Sequence, residues 1–514
     1  MNRRQLFAVA GALLAGSLAG CVGQSGTDDG GTTDDGATDD GAGSGTGNDQ
    51  STPSDDDSNE EDADSDADSD AQEVDEKALA ELVRETNGFT FDIYRQLLAE
   101  SPDGNLFASP VSISVALAMA YAGARDETRQ QMRDVMRYTL EDDDLHAAFG
   151  ALRSEFNDRG ASECDADESG DGSEGGDTSG EGNGTDGGTD TTDQDGGGSD
   201  EEEPVPFELS LVNSVWGQED YPFRQAYLDL LATYYGGDLR EVDFTNDAEG
   251  AREEINEWVA DQTEDRIEEL LPENSLDPMT RLVLVNAIYF LANWEHQFVE
   301  GGTETDTFAG LDGAEHDVQM MSQNSTLPYA ELDGAQAVQL PYVGGETSML
   351  VILPPEGEFE SYEESLDRET LTALVDALEA REGQVKLPRF EFDSGFMLSR
   401  ALQEMGMVDA FDAEAADLGG IAPLDELEGN LYIDEAYHEA FVAVDEQGTE
   451  AAAATGVVVG VTSAPQNPFE FVADRPFLFA IRDHPTDAVL FLGRAVDPTD
   501  WDDPAESDDS DDSE

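Results

Sequence analysis

The chain has 514 residues and sets 24 Lys+Arg against 119 Asp+Glu, for a formal net charge of −95. Cations this few, diluted among carboxylates, exclude a nucleic-acid partner, because a phosphate backbone is held by clustered Lys and Arg. Two cysteines exclude a disulfide framework, and most of the acid lies in a few glycine-rich tracts, which leaves ordinary apolar patterning elsewhere. Such a surface suits a protein kept soluble in concentrated salt, where charges are screened within a few ångström and self-repulsion is tolerated.

Arg3 and Arg4 stand before an apolar run, Leu6 to Ala19, that is too short for a comfortable bilayer span and is flanked as an export signal is. The twin arginine resembles the signal for export of folded proteins. Leu18-Ala19-Gly20-Cys21 resembles a lipobox, after which Cys21 becomes a lipid-bearing N-terminus, so residues 1–21 are taken as the signal. An ordinary signal with an incidental cysteine is the alternative. The expected location is extracellular, anchored at the cell surface, with the membrane touched only through lipid. Residues 22–76 are Asp, Gly, Ser and Thr with almost nothing to bury, and read as an acidic tether extended by its own repulsion. Residues 77–498 form the expected folded domain, interrupted by an acidic low-complexity insert at 161–203, and 499–514 are an acidic tail. Glycosylation sequons begin at Asn183 and Asn324.

Within the domain, apolar residues from Ala78 to Leu98 recur at helical spacing, and Ser109-Pro110 opens a second strong helix through Met119 and Tyr121. A further helix is expected over His146–Phe156. After the insert, short runs rich in Val, Leu and aromatics predict strands: Phe207–Trp216, Arg281–Phe290, Ala337–Tyr342, Ser348–Leu353, Gly383–Phe392, Ala440–Asp445 and Ala488–Val496. Helical stretches at Ala251–Ala260 and Arg368–Glu379 lie between some of them. Helices first and strands mostly later, without regular alternation, predict an α+β fold with mixed or antiparallel sheets.

No enzyme constellation emerges. The five histidines, His146, His296, His316, His438 and His484, show no metal-ligand spacing; there is no Gly-x-Ser-x-Gly elbow and no phosphate-cradling glycine loop. No metal and no cofactor are expected, and a monomer is.

The informative segment runs from Glu446 to Pro468. A strand-like run, Phe441 to Asp445, leads into Glu446-Gln447-Gly448-Thr449-Glu450, then Ala451-Ala452-Ala453-Ala454-Thr455, then Gly456 to Pro465. Composition alone describes a surface loop of small residues. Parity says more: as a strand, one face carries Thr449, Ala451, Ala453, Thr455, Val457 and Val459, none charged, with Glu450 on the other. The segment can therefore enter the middle of a sheet without burying a charge. Gly448 before it reads as a hinge, since glycine reaches backbone angles closed to other residues.

These residues resemble the hinge of inhibitory serpins. Asp474-Arg475-Pro476-Phe477-Leu478-Phe479-Ala480-Ile481-Arg482-Asp483 is similar to the signature that follows the reactive loop in that family. Asn105 to Ser112, Leu284 to Phe290 with Trp294, Leu340-Pro341-Tyr342 and Phe491-Leu492-Gly493-Arg494 are similar to further family stretches, in family order. The resemblance implies a serpin fold of three β-sheets and eight to nine helices with an exposed reactive-centre loop. It also implies no catalysis of its own: the chain would be a suicide substrate. A target protease attacks the loop and forms a covalent acyl-enzyme, and the cut loop inserts into the large sheet, carrying the protease with it.

By the family's usual spacing from the hinge, cleavage falls at Thr462-Ser463. Thr462 offers no cation for a trypsin-like pocket and no large ring for a chymotrypsin-like one, so an elastase-like or subtilisin-like serine protease is favoured. A cysteine protease as target, or a non-inhibitory serpin acting as a surface binding or structural protein, are the alternatives. Ser109, Ser112, Asn256 and His438 match the family's polar cluster beneath the centre of the large sheet. Arg389 matches a basic position that pairs with Glu446 at the top of the loop, an exposed pair contributing ~1 kcal/mol or less. Trp294 matches a position where the loop begins to insert; on residue type alone it packs core, as a lone buried histidine at 438 also would.

Overall fold

The computed structural model describes residues 76–161, 207–237, 239–427, 429–449 and 468–501. The signal with Cys21, the tether up to Asp75, the insert beyond Ala161, the loop residues Glu450 to Thr455, Thr462 and Ser463, and Asn183 lie outside the described residues.

The N-terminal part is helical. It comprises α1 (Glu76–Glu100), the short strand β1 (Leu106–Ala108), α2 (Pro110–Gly123), α3 (Asp126–Val135) and α4 (Asp142–Ala161). Helix α2 starts where the sequence says it should: Pro110 sets the first turn, and the Ser109 side chain accepts a hydrogen bond from the Ser112 amide. It is buried nearly all round, so it is a core helix rather than an amphipathic surface one.

After the insert come β2 (Phe207–Gln218), α5 (Gln225–Leu230), β3 (Leu239–Val242), α6 (Phe244–Gln262) and β4 (Leu282–Asn293). Strands β5 (Glu304–Ala309), β6 (Glu315–Leu332), β7 (Ala335–Pro341) and β8 (Thr347–Leu353) follow, then α7 (Phe359–Ser365) and α8 (Arg368–Asp376). The remainder is β9 (Glu379–Pro388), β10 (Phe390–Met397), α9 (Leu398–Met405), β11 (Ala436–Val444), β12 (Gly448–Thr449), β13 (Phe469–Val472), β14 (Phe477–Asp483) and β15 (Val489–Ala495). Nine α-helices among the described residues and mixed sheets make the class α+β, as expected. The run expected as one strand over Gly383–Phe392 is two, β9 and β10, divided at Arg389, whose amide donates to Gln319 O at 2.8 Å.

Hydrogen bonding gathers the strands into a six-stranded sheet, β10-β11-β12-β4-β2-β3, and a nine-stranded network, β1-β15-β14-β8-β7-β6-β9-β13 with β5 on β6. The three expected sheets appear as two networks because β6, 18 residues long, pairs with β5 over Glu315–Met320, with β9 over Met320–Tyr329 and with β7 over Tyr329–Leu332. The six-stranded sheet is buried on both faces at its centre. Leu284, Ile288, Phe290 and Ala292 of β4 face the main core, whereas Val283, Val285 and Ala287 face a second cluster with Phe244, Ile255 and Val259 of α6. This is the two-residue alternation of a strand with apolar layers on both sides. The tail is not all solvent: Trp501 packs on Phe308 and Phe390, with ring centroids 5.1 and 5.7 Å apart.

Candidate functional site

The strands β11 and β4 lie side by side and parallel from Ala436↔Leu284 to Ala440↔Ile288. Beyond that point they part. Chain direction reverses after Val444, and Gly448 and Thr449 return between the two strands: Val444 pairs with Thr449 on one side, and Asn293 and Ala292 pair with Gly448 and Thr449 on the other. Gly448 and Thr449 of the hinge are thus already a strand of the sheet, and the β11-turn-β12 hairpin is closed.

Polar groups close that turn. Asp445 Oδ1 accepts from the amides of Gln447 at 2.7 Å and Gly448 at 2.9 Å, and the Asp445 amide donates to Gly448 O at 3.0 Å. Burial pushes the Asp445 carboxyl up to about 6, against the pull of those two amides. Gly448 is needed, but not for the reason its sequence suggested. Its φ is not in the left-handed region; a Cβ there would stand 2.2 Å from Ala292 O and 2.9 Å from Asn293 Cα, so close backbone approach excludes any side chain.

Thr449 turns inward. It is buried and its hydroxyl shares a 2.7 Å hydrogen bond with the hydroxyl of the buried Tyr342. Tyr342 in turn stacks on Trp294, ring centroids 4.6 Å apart at 10°. Trp294 is buried as its residue type suggests, yet it also grips the hinge: its Nε1 donates to Asp445 O at 3.0 Å and its amide donates to Gln447 O at 2.7 Å. The Phe298 amide donates to Glu446 O at 2.8 Å.

Arg389 meets Glu446 through two parallel bonds, Nε to Oε2 at 2.7 Å and Nη2 to Oε1 at 2.6 Å, and the Thr303 hydroxyl donates to the same carboxylate. The pair expected to be exposed is not: the Glu446 side chain is only 5% exposed and that of Arg389 19%. Arg389 projects here because it sits in the break between β9 and β10. Desolvation offsets much of what a buried fork-to-fork pair gains, but removing one partner leaves an uncompensated charge and costs about 3 to 5 kcal/mol.

The polar cluster lies lower, where β11 and β4 are still joined. The Ser109 amide donates to His438 Nε2 at 3.1 Å, which leaves the imidazole proton on Nδ1 for Asn286 Oδ1. Asn286 Nδ2 donates to Ser112 Oγ at 2.7 Å and to Asn213 Oδ1; the Ser109 hydroxyl donates to Leu490 O at 2.8 Å. His438 is fully enclosed, and burial holds it down at about 3, so it is neutral. Asn256 does not join this cluster. It lies on α6 across the sheet, where Nδ2 donates to Leu271 O at 3.0 Å and Oδ1 accepts the Leu271 amide at 2.9 Å, fixing the segment after the helix. Asn286 and Asn213 take the place expected of it. A lone asparagine inside the apolar run Leu282–Phe290 was the available signal, since a buried amide must find partners.

The exit side of the loop is anchored separately. Phe469 of β13 stacks on Tyr329 at 4.3 Å and 10°, over Gly383, where a Cβ would meet its ring at 2.2 Å.

A family model described as serpin (serine protease inhibitor) matches residues 84–498. An uncharacterized serpin-like protein of Thermococcus kodakarensis is 36% identical over 422 residues, covering 82% of this chain and 86% of that protein. Leukocyte elastase inhibitor A of Mus musculus is 35% identical over 420 residues, with 80% and 97% covered. Antithrombin-III of Homo sapiens is 33% identical over 425 residues, with 81% and 82% covered. Among solved structures, uncleaved ovalbumin is similar with a TM-score of 0.66 and 30% identity, covering 81% of this chain and 100% of that one. The native state of the thermophilic serpin tengpin gives 0.65 and 26%, with 82% and 95% covered.

Proposed function

Since this chain belongs to the serpin family, we propose that it is a suicide-substrate inhibitor of an extracellular serine protease, sprung by cleavage at Thr462-Ser463. The observation that carries the reading is the preformed hairpin: Gly448 and Thr449 already lie between β11 and β4, with Thr449 turned into the core.

Antiparallel pairing continued from Thr449 sets Ala451 between Val442 and Phe290, Ala453 between Ala440 and Ile288, and Thr455 between His438 and Asn286. Every inward position is then uncharged, and its neighbours belong to the main core or to the polar cluster. Propagation must break the direct β11–β4 pairs and the His438–Asn286 bond, and the Thr455 hydroxyl arrives with partners for the groups so exposed. About fourteen residues at ~3.3 Å each give on the order of 45 Å of new strand. Dragged that far, an acyl-enzyme has its oxyanion hole and triad pulled out of register, where displacements of ~1 Å already cost ~100-fold in rate.

Thr462 at the cut fits a pocket for small or branched side chains, elastase-like or subtilisin-like. Anchorage at the cell surface through a lipid on Cys21, after export by the twin-arginine signal, places the inhibitor where such proteases act. Incubation with a subtilisin-like protease in concentrated salt is expected to give a complex that survives SDS and boiling. Clean cleavage without any complex supports the non-inhibitory serpin instead, and trapping of a cysteine protease alone moves the target class.

A further inference from the structure

One sequence feature is left unused by the trap: the sequon Asn324-Ser325-Thr326 in β6. Asn324 and Thr326 are both exposed, two residues apart on one face of the strand. Among the described residues neither side chain makes a hydrogen bond, whereas Ser325 between them turns the other way and donates to Gln323 Oε1 at 2.9 Å. Among the described residues, the backbone from Gln323 to Pro328 is paired on one side, to β9. The ladder to β9 is continuous from Met320 to Tyr329, but on the other edge β5 stops at Met320 and β7 begins at Tyr329. Between them the Val299 amide, donating to Ser322 O at 3.3 Å, bonds that edge.

The position matters because of what stands beside it. Asn324 pairs with Gln384, which pairs with Glu470, in one row across β6, β9 and β13, and Phe469 is where the loop's exit joins the body. At the other foot, Arg389 holds Glu446 and its amide bonds Gln319 O. Measured along β6, the two feet fall level with Gln319 and Ser325, about 20 Å apart at ~3.3 Å per residue, and Asn324 lies between them.

We propose that Asn324 is an N-linked glycosylation site, and that its glycan, rooted between the level of the loop's two feet at Glu446 and Phe469, restricts which proteases reach the loop. The modification rests on export, the restriction on the inhibitor reading. The donor is an oligosaccharide carried on a lipid phosphate. A bond forms between Asn324 Nδ2 and sugar C1, the bond from C1 to the phosphate oxygen breaks with its electron pair leaving on the phosphate, and the amide proton passes to a base of the transferase.

The test uses full-length protein isolated from its native cell and mapped by peptide mass. The peptide holding Asn324 is expected to carry hexose-bearing mass that is lost in Asn324→Gln and in Thr326→Ala, while any sugar on Asn183 is unaffected. Association with a subtilisin-like protease is expected to be at least threefold faster for Asn324→Gln than for the glycosylated parent. An unmodified Asn324 overturns the site, and the mature N-terminus read from the same sample tells whether the export reading falls with it. A modified Asn324 with equal association rates overturns the restriction, as does the absence of complex with either form; that last result also removes the inhibitor reading and leaves the modification standing.

Discussion

On the proposed insertion, the pairing observed at Gly448 and Thr449 predicts which face of the following residues turns inward, and Ala451→Arg tests it. Thr449 lies opposite Val444 and Ala292, so two residues on, position 451 comes between Val442 and Phe290, which are 1% and 3% exposed. A guanidinium there finds neither water nor an acceptor. Burying an unpaired charge costs several kcal/mol, and taking about 3 kcal/mol after some snorkelling, the ratio of trapping to release falls roughly 100-fold. Glu450→Arg is the control, because position 450 comes opposite Ala443 and the partly buried Leu291 on the other face. Both variants, incubated with the target protease, are resolved on an SDS gel into covalent complex and cleaved inhibitor. Ala451→Arg should run almost wholly as cleaved product and Glu450→Arg mostly as complex. If Ala451→Arg traps as the parent does, or the two variants exchange behaviour, the face assignment is wrong.

Three other outcomes follow from the hinge. Gly448→Ala puts a methyl 2.2 Å from Ala292 O, so it should expel the hairpin and cost about 2 to 3 kcal/mol of stability, read as a lowered urea midpoint. Glu446→Gln leaves Arg389 facing a neutral group in a water-poor site and should cost about 3 kcal/mol in the same measurement, whereas an exposed pair would lose well under 1. Asp445 gives a pH signature. Its carboxyl is raised from 3.8 to about 6, so the protonated form stabilises the fold fully below about pH 4 and that stability is lost as pH rises through 6. Asp445→Asn keeps the acceptor for Gln447 and Gly448, and should melt higher than the parent at pH 7.5 by the equivalent of about 1 to 2 kcal/mol, discounted for partial exposure, with no difference at pH 4.

Much of this was legible in the sequence where one physical demand acts alone. Helix α2 follows from Ser109-Pro110 and an unbroken apolar run, and β4 from apolar residues buried on both faces. Of the uncharged face read along the hinge, Thr449 is the residue described, and it turns inward as a strand's side-chain period of two requires. What was not legible depends on partners far along the chain. Strand β6 reads as polar and carries Pro328, so only its pairing with β9 makes it a strand. Asn256 and Asn286 are both asparagines beside apolar residues, and which of them meets His438 is decided by topology that brings β4 and not α6 to β11. The burial of the Arg389–Glu446 pair depends on the break at Arg389 and on Thr303, neither visible as a local pattern. Gly448 was identified as special, but its cause, contact with Ala292, is a tertiary one.

The claim beneath all of these is that a cut loop becomes a strand between β11 and β4. A crystal structure of the chain nicked at the loop tests it most directly. Residues 450 to 462 should then run antiparallel to both neighbours, with Thr455 level with His438 and Asn286 and the bond between those two gone. A nicked chain in which Ala440 still pairs with Ile288 and the severed end lies outside the sheet would contradict it.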